Sequence, residues 1–350
     1  MQTSKHGGDV YRNDVEIDFS VNINPFGVPE KVKEALKKAA DECMRYPDDT
    51  VMELSELMSE CSGVSRECIL FGNGASELFW AIIHAVKPQK VLIPVPSFSG
   101  YKSASECEEC EVDYYYMKEE DDFLLTDDFL KIFKEESLPN LIFLANPNNP
   151  TGKCIDRKLL ECIIALCCEK KIWLVLDECF IEFTERKEES LFKIAEKTPY
   201  LVVVRAFTKI YGIPGVRLGY LAAEEKMINL LKRHIPEWNV SIFAQYAGAA
   251  ALKEVQFVEK TVKYVKEQRA YMLRQLKEMG IKAWFSEADY ILIYSEKPLY
   301  EKLLEKKILI RDCSNYKGLK KGYYRIAIKT EKENEKLIEA LRKISLDDDK

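Results

Sequence analysis

The sequence predicts an α/β fold: a large domain whose mainly parallel sheet is flanked by helices, with a smaller α/β domain beside it. Three observations carry this expectation. Short, near-continuous runs of Val, Ile and Leu recur, each ending in a loop of small or polar residues. Helix-like stretches separate them, the pattern of strands buried on both faces of a parallel sheet. The chain has 350 residues, more than the roughly 250 to 300 at which a single core stops growing, so two domains are expected.

The elements follow in order. Residues 1–45 hold one strand-like run, VEIDFS at 15–20, and one helix, PEKVKEALKKAADECM at 29–44. This arm is expected to join residues 239–350 in the small domain, leaving 46–238 as the large one. There CILF, at 68–71, is followed by GNGASE at 72–77, which opens a helix continuing through ELFWAIIHAV at 77–86. The strand runs are KVLIPVPS at 90–97, LIFLANPNNPTG at 141–152, IWLVLDE at 172–178 and LVVVRAFTK at 201–209, with a helix in RKLLECIIALCCEKK at 157–171. After about Trp238 the character changes. Residues 243–280 read as almost wholly helical, the strands DYILIYS at 289–295, ILIRDC at 308–313 and YYRIAIK at 323–329 follow, and a last helix runs from Glu331 to about Ile344. No internal repeat or low-complexity linker is visible.

Composition excludes several classes of function. Hydrophobic residues make up 47% and charged ones 31%, as in an ordinary soluble protein. The net charge is −6 and the Lys-rich segments 31–38, 302–307 and 317–321 are short or interleaved with acids, so no nucleic-acid partner is expected. No signal-like segment opens the chain and no run approaches the ~18 apolar residues of a membrane span, so a cytoplasmic protein with no membrane partner is expected. The eleven cysteines form an odd set in a long chain and read as free thiols. Cys107-x-x-Cys110 lacks a second pair or paired histidines at zinc spacing, and the only histidines are His6, His84 and His234, so no metal site is expected.

In parallel sheets ligands sit beyond the carboxyl ends of the strands. That rule gathers the loops 97–101, 146–152, 177–180 and 208–217 along one edge. GNGASE places glycines before a helix N-terminus, where backbone N–H groups bind phosphate. It departs from the dinucleotide fingerprint at Glu77, and a phosphate cradle and a plain strand-to-helix turn both remain open. The other loops supply an amine (Lys209), a strand-end carboxylate (Asp177), an amide (Asn146 or Asn149), an aromatic ring (Phe98) and a guanidinium (Arg217). Singly these read as a surface lysine, a strand cap, a turn former, a core ring and a loop arginine. Together they match pyridoxal 5'-phosphate (PLP), which needs an amine for covalent attachment, a carboxylate at its pyridine nitrogen, a donor to its ring oxygen, a stacking face and a phosphate cup.

The order GNGASE, VPSF, NPNNPTG, DECFIEF, TKIYGIPGVRLGY and YYRIAIKT resembles the fold type I PLP-dependent aminotransferases over nearly the whole chain. The likeness is to the branch holding histidinol-phosphate aminotransferase and threonine-phosphate decarboxylase. It implies that Lys209 is the attachment lysine, that Asp177 pairs with the pyridine nitrogen, that Asn149 meets the ring hydroxyl and that Phe98 stacks on the ring. Gly74, Ala75, Ser76, Thr208 and Arg217 would hold the cofactor phosphate. Tyr46 would reach the phosphate of a neighbouring subunit in a homodimer. Arg325 corresponds to the family's substrate-anion arginine. Two positions depart from the pattern: Phe180 stands where a tyrosine hydroxyl is common, and Ala206 where a small hydroxylated residue is.

Within the branch, KHGG at 5–8, IDFSVNINPFG at 17–27, WNVSIFAQ at 238–245 and IRDCSNYKGL at 310–319 are more similar to the decarboxylase. His6, Asn24, Arg311 and Arg325 then become the candidate ligands of a small amino-acid substrate carrying phosphate and carboxylate. Decarboxylation and transamination differ in which bond at the substrate α-carbon stands perpendicular to the cofactor ring. The anion-binding groups set that orientation to within about an ångström; it is the resemblance that favours L-threonine O-3-phosphate decarboxylation and leaves an aminotransferase as the alternative.

Overall fold

In the computed structural model, residues 7–346 are described. Seven strands form one sheet in the order Ile69–Gly72, Gly219–Ala222, Leu201–Ala206, Trp173–Asp177, Leu141–Ala145, Lys90–Val95 and Glu111–Tyr116. The last five of these run parallel, and Gly219–Ala222 is antiparallel to both its neighbours. The central strands are buried nearly throughout, as runs such as LVVV at 201–204 require. Glu111–Tyr116 is only partly buried, in keeping with its polar composition at the sheet edge.

The strand order reverses beside Lys90–Val95. The chain first moves outward to Glu111–Tyr116, then returns to the other side at Leu141–Ala145 and continues through Trp173–Asp177 to Leu201–Ala206. Such a switch leaves a crevice beyond the carboxyl ends of the strands. The helix Arg157–Lys170 connects two of these strands and starts cleanly because the Asp156 side chain accepts from Lys158 N and Leu159 N.

A second, four-stranded sheet has the order Arg311–Asp312, Tyr323–Ala327, Tyr290–Tyr294, Lys282–Ala283. The N-terminal strand Ile17–Asp18 pairs in parallel with Ile308–Leu309, and the helix Ile242–Ala251 lies against Glu30–Asp41. Two sequence expectations change. The helical stretch at 243–280 is two helices, Ile242–Ala251 and Val255–Glu278, because the backbone turns at Leu252 to Glu254, where Lys253 N donates to Ala250 O and Glu254 N to Ala251 O. The single strand expected at 308–313 is divided: Ile308–Leu309 pairs with the N-terminal arm and Arg311–Asp312 with Tyr323–Ala327. Among the described residues no helix is long and apolar enough to cross a membrane.

Candidate active site

A cleft of about 220 Å³ lies at the carboxyl edge of the large sheet, closed on its far side by residues of the N-terminal arm and the smaller sheet. Lys209 enters it from the short helix Phe207–Ile210, directly after the strand Leu201–Ala206. The side chain is half-buried, and its Nζ stands 6.0 Å from the centre of the Phe180 ring. Burial pushes the amine below the ordinary lysine range; the Asp289 carboxylate opposes that shift and Arg325 adds to it.

Asp177 ends its strand facing the same cleft. Its Oδ2 accepts from the Tyr101 hydroxyl at 2.5 Å and its Oδ1 from Cys179 N at 2.9 Å. Burial raises this carboxyl while the bonds from Cys179 and Tyr101 draw it back, so the charged form is held by two donors. Tyr101 is itself fixed, stacked on Phe143 with centroids 4.9 Å apart and planes 9° from parallel. Phe98, three residues earlier, meets Tyr101 edge-on and also lines the cleft.

At one end of the cleft the helix Ala75–Val86 begins behind Gly74, whose φ of 78° favours glycine. A Cβ on Gly74 would lie 2.3 Å from Arg217 Nη2, and one on Gly219 2.4 Å from Ala75 N. Two glycines thus let the helix N-terminus, its neighbouring strand and the guanidinium crowd together. Among the described residues, Arg217, at φ 62°, is held only by long bonds to Pro214 O at 3.3 Å and Asn73 O at 3.5 Å. Ala75, Ser76, Thr208 and Arg217 all border the cleft at this point, where backbone donors and positive charge favour an anion.

The opposite wall carries two more arginines, each 6% exposed. Arg325 donates from Nη1 to Asn149 Oδ1 at 2.5 Å and from Nη2 to Ser20 O at 2.7 Å, with its guanidinium 5.4 Å from the Tyr290 ring centre. Arg311 donates to Asp312 O at 2.7 Å and to Asn315 Oδ1 at 2.8 Å, and lies 5.2 Å from the Tyr316 ring centre. Because Asn149 Oδ1 is engaged by Arg325, the donor that Asn149 presents is its Nδ2.

Not every expected ligand stands here. Asn24 does not line the cleft: its Nδ2 donates to Ile210 O at 2.6 Å and Thr261 Oγ1 at 2.8 Å, and its Oδ1 accepts from Phe26 N at 2.9 Å, so it ties the arm to the lysine-bearing helix. Asn22, two residues earlier, lines the cleft instead, buried, with an Oδ1 that has no hydrogen-bond partner among the described residues. The motif FSVNIN holds two asparagines, equally buried, and only their contacts separate them. Tyr46 is 79% exposed and its ring lies tilted against Trp238, with centroids 4.8 Å apart, and it does not line its own chain's cleft. His6 lies outside the described residues. Tyr101 and Tyr316 are further cleft residues that the sequence reading missed; the spacing of Tyr101 three residues beyond Phe98 was the available signal.

The family model for aminotransferase class I and II matches residues 14–341. This chain belongs to the aminotransferase class I and II family. Its fold is that of the type I members, and the family's members are enzymes. The chain is 35% identical to the threonine-phosphate decarboxylase of Salmonella typhimurium, covering 97% of this chain and 96% of that protein. Among solved structures it is similar to the histidinol-phosphate aminotransferase of Clostridium acetobutylicum, with a TM-score of 0.87, 29% identity and coverage of 94% and 99%. The L-threonine-O-3-phosphate decarboxylase of Porphyromonas gingivalis follows with a TM-score of 0.83, 26% identity and coverage of 94% and 99%.

Proposed function

We propose that this aminotransferase-family chain is a PLP-dependent decarboxylase acting on L-threonine O-3-phosphate. The observation that carries the reading is the pair of buried guanidiniums, Arg311 and Arg325, on the wall opposite the glycine-cradled helix N-terminus. One end of the cleft suits a cofactor phosphate; the other supplies two cations for a substrate with both a phosphate and a carboxylate. The donor set fits PLP: an amine of lowered pKa, a carboxylate steadied by two donors, the Phe98 ring and a helix N-terminus that Gly74 and Gly219 let Arg217 and the neighbouring strand approach closely.

In this reading Lys209 is the attachment amine, Asp177 faces the pyridine nitrogen, Asn149 the ring oxygen and Phe98 the ring face. Gly74, Ala75, Ser76, Thr208 and Arg217 hold the phosphate, with Tyr46 of a second copy completing the cup in a homodimer. When bound, PLP supplies an electron sink for charge developing at the substrate α-carbon. The chain's own residues do the rest. Arg311, Arg325 and Asn22 hold the substrate's anions and so fix which bond at that carbon is turned for cleavage. Lys209, lowered by burial, serves as the acid that returns a proton to the α-carbon after carbon dioxide leaves. Tyr101 keeps Asp177 in place. Residues 46–238 form the cofactor domain in this proposal, and 1–45 with 239–350 the substrate-side domain.

The test is carbon dioxide release from L-threonine O-3-phosphate by the PLP-loaded protein without any 2-oxo acid, with Lys209→Ala as control. Catalytic release that disappears in the variant supports the decarboxylase. The greater structural likeness to the histidinol-phosphate aminotransferase favours a second reading: absence of gas, with an amino donor converting the cofactor to its pyridoxamine form, would establish transamination instead.

A further inference from the structure

Away from the cleft, the pair Cys107-x-x-Cys110 in the acidic segment SECEECEVD meets a histidine from another helix. Cys107 closes the helix Gly100–Glu106, and the turn at 107–109 is tied back to it by Glu108 N and Cys110 N, which donate to Ser105 O at 3.3 and 3.4 Å. His84, in the last turn of the helix Ala75–Val86, faces this turn: its Nδ1 contacts Glu108 Oε1 and its Nε2 stands 3.9 Å from Cys107 Sγ. A carboxylate can only accept, so Nδ1 carries the hydrogen and Nε2 of the neutral ring turns its lone pair to the thiol. Sγ also lies 2.7 Å from Ala104 O, a second acceptor for the thiol hydrogen at rest. Carboxylate, imidazole and thiol stand in a row, the arrangement in which a base makes a weak nucleophile strong. The side chains of His84 and Glu108 are partly buried, at 35% and 28% exposure, while Cys107 at the end of the row is open to solvent. Burial and the Glu108 carboxylate push the Cys107 thiol up, so little thiolate forms unaided near neutrality and an adjacent base is what its reaction requires.

We propose that Cys107 and Cys110 form a dithiol/disulfide site, in which His84 deprotonates Cys107 for attack on a low-molecular-weight disulfide. The Cys107 S–H bond breaks as its proton passes to His84 Nε2. The freed sulfur bonds to one sulfur of the small disulfide, whose own S–S bond breaks, and the departing thiolate takes the proton from His84. The Cys110 sulfur then attacks Cys107 and expels the second small thiol, which leaves with the Cys110 proton. Two protein thiols are oxidised to one disulfide, and the small disulfide is reduced to two thiols. The spacing suits closure: the ends of a four-residue turn lie within about 7 Å, and a disulfide joins Cα atoms about 4.4–6.8 Å apart. The site draws on neither Lys209 nor the cofactor.

The experiment treats the reduced full-length protein with oxidised glutathione and follows each cysteine by peptide mass spectrometry. Cys43, Cys61 and Cys162 are also exposed and serve as internal references. Cys107 is expected to react about 100-fold faster than these, the lower end of what a positioned base contributes. The product expected is the peptide carrying Cys107 and Cys110, lighter by two hydrogens and free of glutathione. His84→Gln should slow Cys107 to the rate of the references and leave the references unchanged. A Cys107 that reacts no faster than they do, or equally fast in His84→Gln, would overturn the proposal. Should His84→Gln fail to fold, Cys110→Ser serves instead: glutathione should then stay on Cys107. Glutathione retained on Cys107 in the parent protein, or absent from it in Cys110→Ser, would overturn the pairing of the two thiols.

Discussion

Tyr101 is the residue on which the geometry of Asp177 turns, since the bond between them, at 2.5 Å, joins positions 76 residues apart in the chain. Hydrogen bonds to charged groups contribute about 1.5–3 kcal/mol. Tyr101→Phe keeps the stacking on Phe143 and is expected to weaken PLP retention about 10- to 100-fold, read by absorbance after dialysis. Asp289, whose burial pushes its carboxyl up, gives a pH dependence whose sign is fixed. Its folded value of about 7 lies above the ordinary aspartate range, so between about 4 and about 7 the native state holds a proton that the unfolded chain has lost. This residue's contribution to stability therefore falls as pH rises through that window. Thermal melts across it are expected to slope downward more steeply in the parent protein than in Asp289→Asn. The place of Lys209 and Asp177 on the cleft was legible in the sequence because each lies just beyond an apolar strand run, at the sheet's carboxyl edge. Tyr101 and Asn22 were not, because the one owes its part to Asp177, distant in the chain, and the other to the packing of the N-terminal arm against the cleft.

Among the elements, the helix Ala75–Val86 depends on Gly219 in the strand beneath it. A methyl there would lie 2.4 Å from Ala75 N, a backbone atom that cannot step aside. Gly219→Ala is expected to cost about 1–3 kcal/mol in chemical denaturation and to weaken PLP binding with it. The helix Arg157–Lys170 provides the contrast. Asp156→Ala removes the cap on Lys158 N and Leu159 N, at 2.9 and 3.1 Å, and is expected to cost about 1 kcal/mol while kcat and KM stay unchanged. Element type and order were readable from the apolar runs. The break at Leu252 to Glu254 was not, since no glycine or proline marks it and the apolar pattern continues across it. Nor was the division of ILIRDC between two sheets, which pairing partners alone decide.

At the scale of the whole molecule, Tyr46 and Trp238 form an exposed aromatic pair, at 79% and 46% exposure, that the proposed homodimer would cover. Sedimentation is expected to show a dimer, and the double variant Tyr46→Ala, Trp238→Asp to give more monomer together with poorer PLP retention. A dimer that persists with normal retention would count against Tyr46 as a shared ligand. The sequence by itself determined the alternation of strands and helices, the edge on which the polar loops gather, and that Phe98, Asn149, Asp177, Lys209 and Arg217 meet there. These follow from local periodicity and from the rule that parallel strands present their carboxyl ends together. Only the tertiary structure decided which asparagine of FSVNIN meets the cleft and what steadies Asp177. Burial and partnership between residues far apart in the chain arise when the sheets and the N-terminal arm pack together, and no local pattern encodes them.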